Sequence, residues 1–379
     1  MTSKDPDRLR ILVTRPDRVG DVILSTPVFE VLKKHYPSSR ITALVQKAVA
    51  PLIEGLPSVD EVMIFDPAGK HAGMSGLFEL ITEFRQRDFR IGVALQSHWK
   101  IAAAMFSAGV RYRVGPMSKP HSYLFYNRGV RQRRSEVEMH EADYNLQLLR
   151  RLGVRAATRS VPTQVHLADA ARSQAFHWLA SQGWKAEEGR SLIAVHPGMG
   201  GSALNWPESH YLELIRGLLR EGHGVLITGG PTEGELLDRI RREIAQPASA
   251  DPGPPQRAFF YGGPEVGSID LLAGVLSLAD VVVAPSTGPL HLAVALGKPV
   301  VSFFPPIRVQ SAIRWGPYQP DETRASILVP EVYCGQDFRC RGPVCNYYPC
   351  MKGLGVTQAL EQVHLQLASS KVRPTEPSP

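Results

Sequence analysis

Along most of the chain, short apolar runs alternate with stretches whose apolar residues recur at helical spacing. The first series reads RILVTR, GDVILSTPVFEVLKKHY, RITALV, AVAPLIEGL, EVMIFD, LFELITEFRQR, IGVALQ and WKIAAAMFSAG. Strands this continuously apolar, separated by helical patterns, indicate a parallel sheet covered by helices on both faces. A second series with the same grammar begins near residue 191: SLIAVHPG, ESHYLELIRGLLREG, GVLITGG, EGELLDRIRREIA, RAFFYGG, SIDLLAGVLSLA, DVVVAPS, PLHLAVALG and PVVSFF. Two consecutive α/β units are therefore expected, joined by residues 153–190, whose one clear element is the helical ADAARSQAFHWLASQGW. In sheets of this kind ligands bind beyond the carboxyl ends of the strands. The strand-end loops of the two units are accordingly expected to face one another across a cleft. The segment QPASADPGPPQR, residues 246–257, has the composition of a surface loop, and the terminal KVRPTEPSP that of a disordered tail.

A length of 379 residues with 43% hydrophobic content suffices for two domains, each with its own core. The polar opening MTSKDPDRLR leads directly into a strand, with no pattern of a secretory or transit peptide. Every long apolar run is interrupted by Asp, Gly or Pro before it could span a bilayer. A cytosolic protein is expected. Four cysteines fall late, at Cys334, Cys340, Cys345 and Cys350, with no C-x-x-C pair among them. Reduced thiols in an irregular segment are the expectation there, ahead of a zinc ribbon, and no metal or cofactor is anticipated. The formal net charge of +7 favours an anionic partner.

Four strand-to-helix junctions carry the candidate chemistry. In TRPDRVGDVILSTP, Gly20 and Asp21 open a helix. A lone Asp there commonly serves the first helical turn, but a general base also has to be a carboxylate placed at a strand end. HPGMGGSALNWP follows a strand with Gly198 and Ser202 in a turn whose glycines allow close backbone approach to a phosphate, or simply satisfy the turn's dihedrals. LITGGPTEGE places Glu233 early in the next helix, suited to ribose hydroxyls or to the helix dipole. VVVAPSTGPLHLAVALG delivers Ser286 and Thr287 at a strand end, Gly288 and Pro289 at the turn, and His291 in the first helical turn. Small residues and a first-turn proline leave backbone donors for an anion.

These residues resemble the lipopolysaccharide heptosyltransferase family, glycosyltransferase family 9, through RPDRVGDVILSTPVFEVLKKHYP, HEADYNLQLLRRLGV, HPGMGGSALNWP, GGPTEGE and PSTGPLHLAVALGKPVVSFF. The resemblance covers nearly the whole chain. It implies the GT-B fold, two Rossmann-like doubly wound domains: an acceptor-binding domain at 1–165, a nucleotide-sugar-binding domain at 166–355, and a C-terminal helix with its tail at 356–379. It implies an inverting, metal-independent transfer of a heptose from ADP-heptose to an inner-core lipooligosaccharide, at the cytosolic face of the inner membrane. Asp21 then corresponds to the catalytic carboxylate, Glu233 to the ribose-binding acid, and Thr287 and Gly288, followed by His291, to the phosphate-binding turn. Ser286 departs from the Asp of the best-known members, and Leu204 from a basic residue ahead of WP, which leaves the donor sugar open.

The segment RYRVGPMSKPHSYLFYNRGVRQRRSEVEMH is dense in cations and reads either as a solvated loop or as a surface that captures an anionic glycolipid. Acceptor capture is the preferred expectation, with Arg15, Arg18, Gly20, Arg131, Arg133 and Arg134 as its residues. Nucleic acid is not expected, because no binding motif or stacking pattern accompanies the charge. Two other readings remain: a transferase of the same fold for another nucleotide sugar or acceptor, and a catalytically silent glycolipid or nucleotide-sugar binder. A dinucleotide oxidoreductase is disfavoured, since neither unit opens with G-x-G-x-x-G.

Overall fold

The parallel strands expected from the apolar runs form two separate sheets in a computed structural model, which describes residues 8–185, 190–201, 203–245, 257–263, 267–334 and 339–372. One unit comprises the chain up to Arg134, Glu138–His166 and the short return Tyr318–Pro320, and the other holds the remainder. The first sheet is built from β1 (Arg10–Thr14), β2 (Arg40–Val45), β3 (Glu61–Ile64), β4 (Ile91–Ala94), β5 (Tyr112–Pro116) and β6 (Arg128–Val130). All its pairs are parallel, in the order β3-β2-β1-β4-β5-β6. The second is built from β7 (Leu192–Val195), β8 (Gly224–Thr228), β9 (Ala258–Tyr261), β10 (Val281–Pro285), β11 (Val300–Phe303) and β12 (Ala325–Leu328). It too is parallel throughout, in the order β12-β11-β10-β7-β8-β9.

Side chains alternate across each strand, and both faces of the first sheet are covered. Ile11 and Val13 pack with Ile41, Ala43 and Val45 on one side, while Leu12 joins Leu44 and Ala94 on the other. This double coverage explains why the strands read as unbroken apolar runs. In each sheet the strand order reverses beside the first strand of the unit, between β1 and β4 and between β7 and β10. Loops leaving such a reversal diverge and open a crevice for ligands.

Three local expectations are revised. GDVILSTPVFEVLKKHY is two helices, Val19–Ile23 and Thr26–His35, because Pro27 in the first turn of the second cannot supply an N–H to continue the first. The basic segment 111–140 is not a simple loop. It contains β5, β6 and a helix over Pro120–Phe125, edge elements too short and too charged to produce a clear alternation. Finally, the helix Val356–Val372 buries Ala359, Val363 and Leu367 in the core of the second unit. It runs into the segment read as a tail, and residues 373–379 lie outside the described residues.

Candidate active site

In the first unit, β1 ends at Thr14 and the chain turns through Arg15–Arg18 into the helix Val19–Ile23, which carries Asp21 in its first turn. Arg15 was expected to bind the acceptor, and its side chain is only 4% exposed. Its Nη2 donates to Asp21 Oδ1 at 2.5 Å, its Nε pairs with Asp17 Oδ2 at 3.1 Å, and both Nη atoms reach Glu141 Oε1 at 3.3 Å. Arg134, also expected to bind the acceptor, pairs with the same Oε1 of Glu141 and donates to Leu95 O at 3.2 Å. Burial opposes the charge of Arg15, yet Asp21, Glu141 and Asp17 outweigh it and hold the guanidinium above its ordinary value. For Asp17, burial dominates and raises the carboxyl in spite of Arg15.

The physical reason for the inward turn is Glu141, which is 1% exposed and opens the helix Glu141–Leu148. A buried carboxylate without cations is strongly unfavourable, so the nearby arginines are drawn to it. The consequence for Asp21 is a fixed orientation. One oxygen is tied to Arg15, and Oδ2 has no hydrogen-bond partner among the described residues, on a side chain 20% exposed. Arg18, Arg131 and Arg133 are exposed, and Gly20 is half-buried beside Asp21.

In the second unit the order β10-β7-β8 brings three predicted loops to the carboxyl ends of three adjacent strands. After β7, His196 is buried, with Nδ1 3.0 Å from Thr228 Oγ1 and Nε2 3.6 Å from Glu233 Oε2. Burial lowers its imidazole below the ordinary value, with Glu233 pulling the other way. After β8, the N–H of Gly230 donates to Glu233 Oε2 at 2.6 Å, so the carboxylate folds back over its own turn. A Cβ on Gly198 would lie 2.2 Å from that carboxylate. Glycine at 198 leaves the space that the Glu233 carboxylate occupies. Ser202 lies outside the described residues.

The first two loops enclose a cavity of about 340 Å³ lined by Pro197, Met199, Asn205, Trp206, Thr232 and Glu233, with Glu208, Glu235, Leu236 and Arg239. Arg239 clasps Glu208 through two contacts of 3.1 and 3.0 Å. Asn205 braces the wall, donating to Pro197 O at 2.8 Å and accepting from Trp206 N–H and Tyr211 OH. Ser286, Thr287, Gly288, Pro289 and His291 do not line this cavity. They follow β10, where Gly288–Ala295 is helical, Thr287 is its N-cap and His291 is 4% exposed. Helix geometry leaves the first-turn N–H groups of Gly288 and Leu290 outside the helix's own ladder. Leu204 packs against the core and lines a different cavity.

The model of the family described as Glycosyltransferase family 9 (heptosyltransferase) matches residues 77–341. The chain belongs to glycosyltransferase family 9. A putative glycosyltransferase of Haemophilus influenzae is 31% identical over 326 residues, 85% of this chain and 89% of its own length. Lipooligosaccharide heptosyltransferase 2 of Haemophilus ducreyi is 24% identical, covering 80% and 88% of the two chains. Among solved structures, the E. coli ADP-heptose lps heptosyltransferase II superposes with a TM-score of 0.74 at 20% identity, over 96% of this chain and 100% of that one. This transferase thus has the GT-B fold.

Inspection of motifs alone overlooked Glu141, Asp17, His196 and Arg239. Glu141 and His196 stand inside stretches that carried the family resemblance, HEADYN and HPG, yet neither shows its partner in sequence: Glu141 meets Arg15 across 126 positions, and His196 meets Thr228 across 32.

Proposed function

We propose that this family-9 transferase moves a heptose from ADP-heptose to a hydroxyl of an anionic inner-core lipooligosaccharide, with inversion and without a metal ion. The observation that carries the reading is the Asp21 carboxylate, held through Oδ1 by the buried Arg15 while Oδ2 is open to accept a proton. The acceptor O–H gives its proton to Oδ2 as its oxygen bonds to the anomeric carbon of the donor. The bond from that carbon to the diphosphate oxygen breaks, and ADP leaves with the electron pair. In the donor half, Glu233 keeps Oε1 for ribose hydroxyls, and Gly198, Ser202 and the turn Ser286–Pro289 with His291 supply the groups for the diphosphate and sugar. Arg18, Gly20, Arg131 and Arg133 receive the acceptor, with Arg15 and Arg134 acting behind them through Glu141 and Asp21.

The glycolipid reading also accounts for the exposed Trp99, Phe106, Tyr123 and Leu124 in the first unit, in the neighbourhood of the cationic segment that begins at Arg111. Aromatic and aliphatic side chains with cations nearby suit peripheral contact with an anionic membrane, here the cytosolic face of the inner membrane. No helix among the described residues is long and apolar enough to cross a membrane. A second donor sugar is favoured by one feature, Ser286 at the turn after β10, which offers a hydroxyl where the best-known members offer a carboxylate.

Asp21→Asn is expected to lower turnover by about a hundredfold or more, within the range of general base catalysis, with ADP affinity unchanged. Turnover near that of the wild type would remove Asp21 from this role. Thermal shifts with a panel of ADP- and UDP-sugars decide the donor, since the ligand bound by the folded state raises Tm by mass action.

A further inference from the structure

The transfer reading leaves out Asp17, which lies in the turn Arg15–Arg18 between β1 and the helix that carries Asp21. The exits of both neighbouring strands clamp this turn. From β2, Gln46 donates to Pro16 O at 2.9 Å. From β4, Leu95 N–H donates to Thr14 O at 3.0 Å, and Gln96 Nε2 donates to Asp17 Oδ1 at 2.8 Å. Asp17 Oδ2 lies 3.1 Å from Arg15 Nε, on the same guanidinium whose Nη2 holds Asp21. Among the described residues Arg15 is the one cation paired with either aspartate, and Glu141 takes both of its Nη atoms. Three carboxylates thus meet on one buried guanidinium. Burial raises the Asp17 carboxyl first of all; Arg15 and the Gln96 hydrogen bond oppose that rise, and Asp21 and Glu141 add to it. A carboxyl so raised favours the fold while protonated and loses that contribution as pH rises through its folded value. The ionised Asp17 is therefore kept at a cost in stability beside the proposed base, which is the pattern of functional sites.

We propose that Asp17 is a positioning residue of the transfer reaction: through Arg15 it orients Asp21 and, by taking a share of the guanidinium's charge, leaves Asp21 able to accept the proton of the acceptor hydroxyl. This rests on the reading of Asp21 as the base. A guanidinium against a carboxylate favours its ionised form and so weakens it as a base. Arg15 given to Asp21 alone would fix the orientation at the expense of basicity. A second carboxylate on Nε, held there by Gln96, opposes that field through the same side chain.

The arrangement also carries the site through the proton transfer. When Asp21 Oδ2 takes the acceptor proton, Asp21 loses its charge and Arg15 loses one of its partners. Asp17 and Glu141 remain on the guanidinium, so the buried cation is not left uncompensated in the product state. No proton passes to Asp17, and the balance of the reaction is that given above.

The test is the pH profile of kcat for the full chain, read as ADP release from ADP-heptose with an inner-core lipooligosaccharide as acceptor. Asp17→Asn keeps the shape of the side chain and an oxygen for Gln96 while removing the charge. With less negative charge on Arg15, the acidic limb is expected to move to lower pH by about one unit, and kcat to fall by about three- to tenfold, at the low end of what a neighbouring charge does. Both KM values should hold, and Tm should equal or exceed that of the wild type, because the lost charge was kept at a cost. Asp17→Glu restores the charge and is expected to return the limb toward its wild-type position. A Tm and kcat that fall together with the limb in place would make Asp17 merely structural and overturn the proposal, as would a limb that moves equally in Asp17→Glu. Should Asp17→Asn fail to fold, Gln96→Leu decides. It removes the hydrogen bond that favours the ionised Asp17, so the limb should move in the same direction by less, and an unmoved limb overturns the role. Asp21→Asn separates this proposal from the reading beneath it. No ADP release by the wild type, or near wild-type release by Asp21→Asn, would remove the base and the role of Asp17 with it; collapsed turnover in Asp21→Asn beside an unmoved limb in Asp17→Asn would remove the role of Asp17 alone.

Discussion

Around Asp21 the first unit assembles side chains from distant parts of the chain, Arg15 with Glu141 and Arg134, into a buried network of charge. The second unit builds its cavity from two turns, 197–206 and 229–233, whose geometry is largely set by glycines and by hydrogen bonds spanning a few residues. One site is oriented by ion pairs that only the folded core makes stable. The other is oriented by backbone. The difference teaches where each is fragile: the first through its charge balance, the second through the space between its loops.

Removing Glu141 is the most direct way to break the first arrangement. Glu141→Ala leaves Arg15 and Arg134 buried without their shared carboxylate, and the loss of stability is expected at about 3–5 kcal/mol, the scale for one partner of a buried pair. Denaturant unfolding measures it, and turnover should fall as Arg15 loses its hold on Asp21. A loss below about 1 kcal/mol, as for a surface pair, would mean that Glu141 is not the centre of the network.

The second arrangement is tested by space instead of charge. Gly198→Ala puts a methyl group where the Glu233 carboxylate lies, and a flexible side chain can move away at little cost to stability. Affinity for ADP is expected to fall by about 1.5–3 kcal/mol, the range of a hydrogen bond to a charged group, with Tm almost unchanged. Calorimetric titration reads the affinity. Wild-type binding would show that the Glu233 carboxylate does not meet the nucleotide.

Two smaller effects sharpen the contrast. With Arg134 committed to Glu141, Arg131 and Arg133 are the exposed pair beside it that, with Arg18, is proposed to meet an anionic acceptor. Replacing both with Glu should raise the acceptor KM and abolish its dependence on salt, because attraction between exposed charges is screened beyond roughly 8 Å at physiological ionic strength. Donor affinity should not change. An unaltered salt dependence would make these arginines a solvated surface.

The smallest effect is a slope against pH. Burial holds the His196 imidazole below its ordinary value, so the unfolded chain takes up its proton first as pH falls. Its contribution to stability is complete above the unfolded value of about 6.5 and is lost as pH drops through the lower folded value. Stability of the wild type should therefore fall between neutral and mildly acidic pH, and His196→Asn should flatten that part of the profile. Equal slopes in the two proteins would exclude His196 as its source.

Some of this was legible in the chain and some was not, for reasons that can be named. Most of the strands read from the chain, such as β4, β7, β10 and β11, are buried throughout and so run unbroken in apolar residues; of those missed, β5 and β6 carry Tyr112, Arg113 and Arg128 toward one sheet edge, and β12 is the edge of the other sheet. Gly20-Asp21, Gly198, Glu233 and Ser286–Gly288 stood out because strand-to-helix turns impose local requirements on residue type. Arg15 and Arg134 were visible only as positive charge, and nothing in their neighbours indicated that they point inward.

By itself the sequence determined two parallel α/β units, the chain position of each strand-end loop and membership of a transferase family, since apolar periodicity and turn chemistry are written over a few residues at a time. The tertiary structure alone decided that β10, β7 and β8 lie side by side, that Glu141 reaches Arg15 across 126 residues, and that four cysteines without a C-x-x-C pair line a single cavity. Those relations depend on which strands neighbour one another and on the cost of burying an uncompensated charge, and both are settled only when the whole core closes.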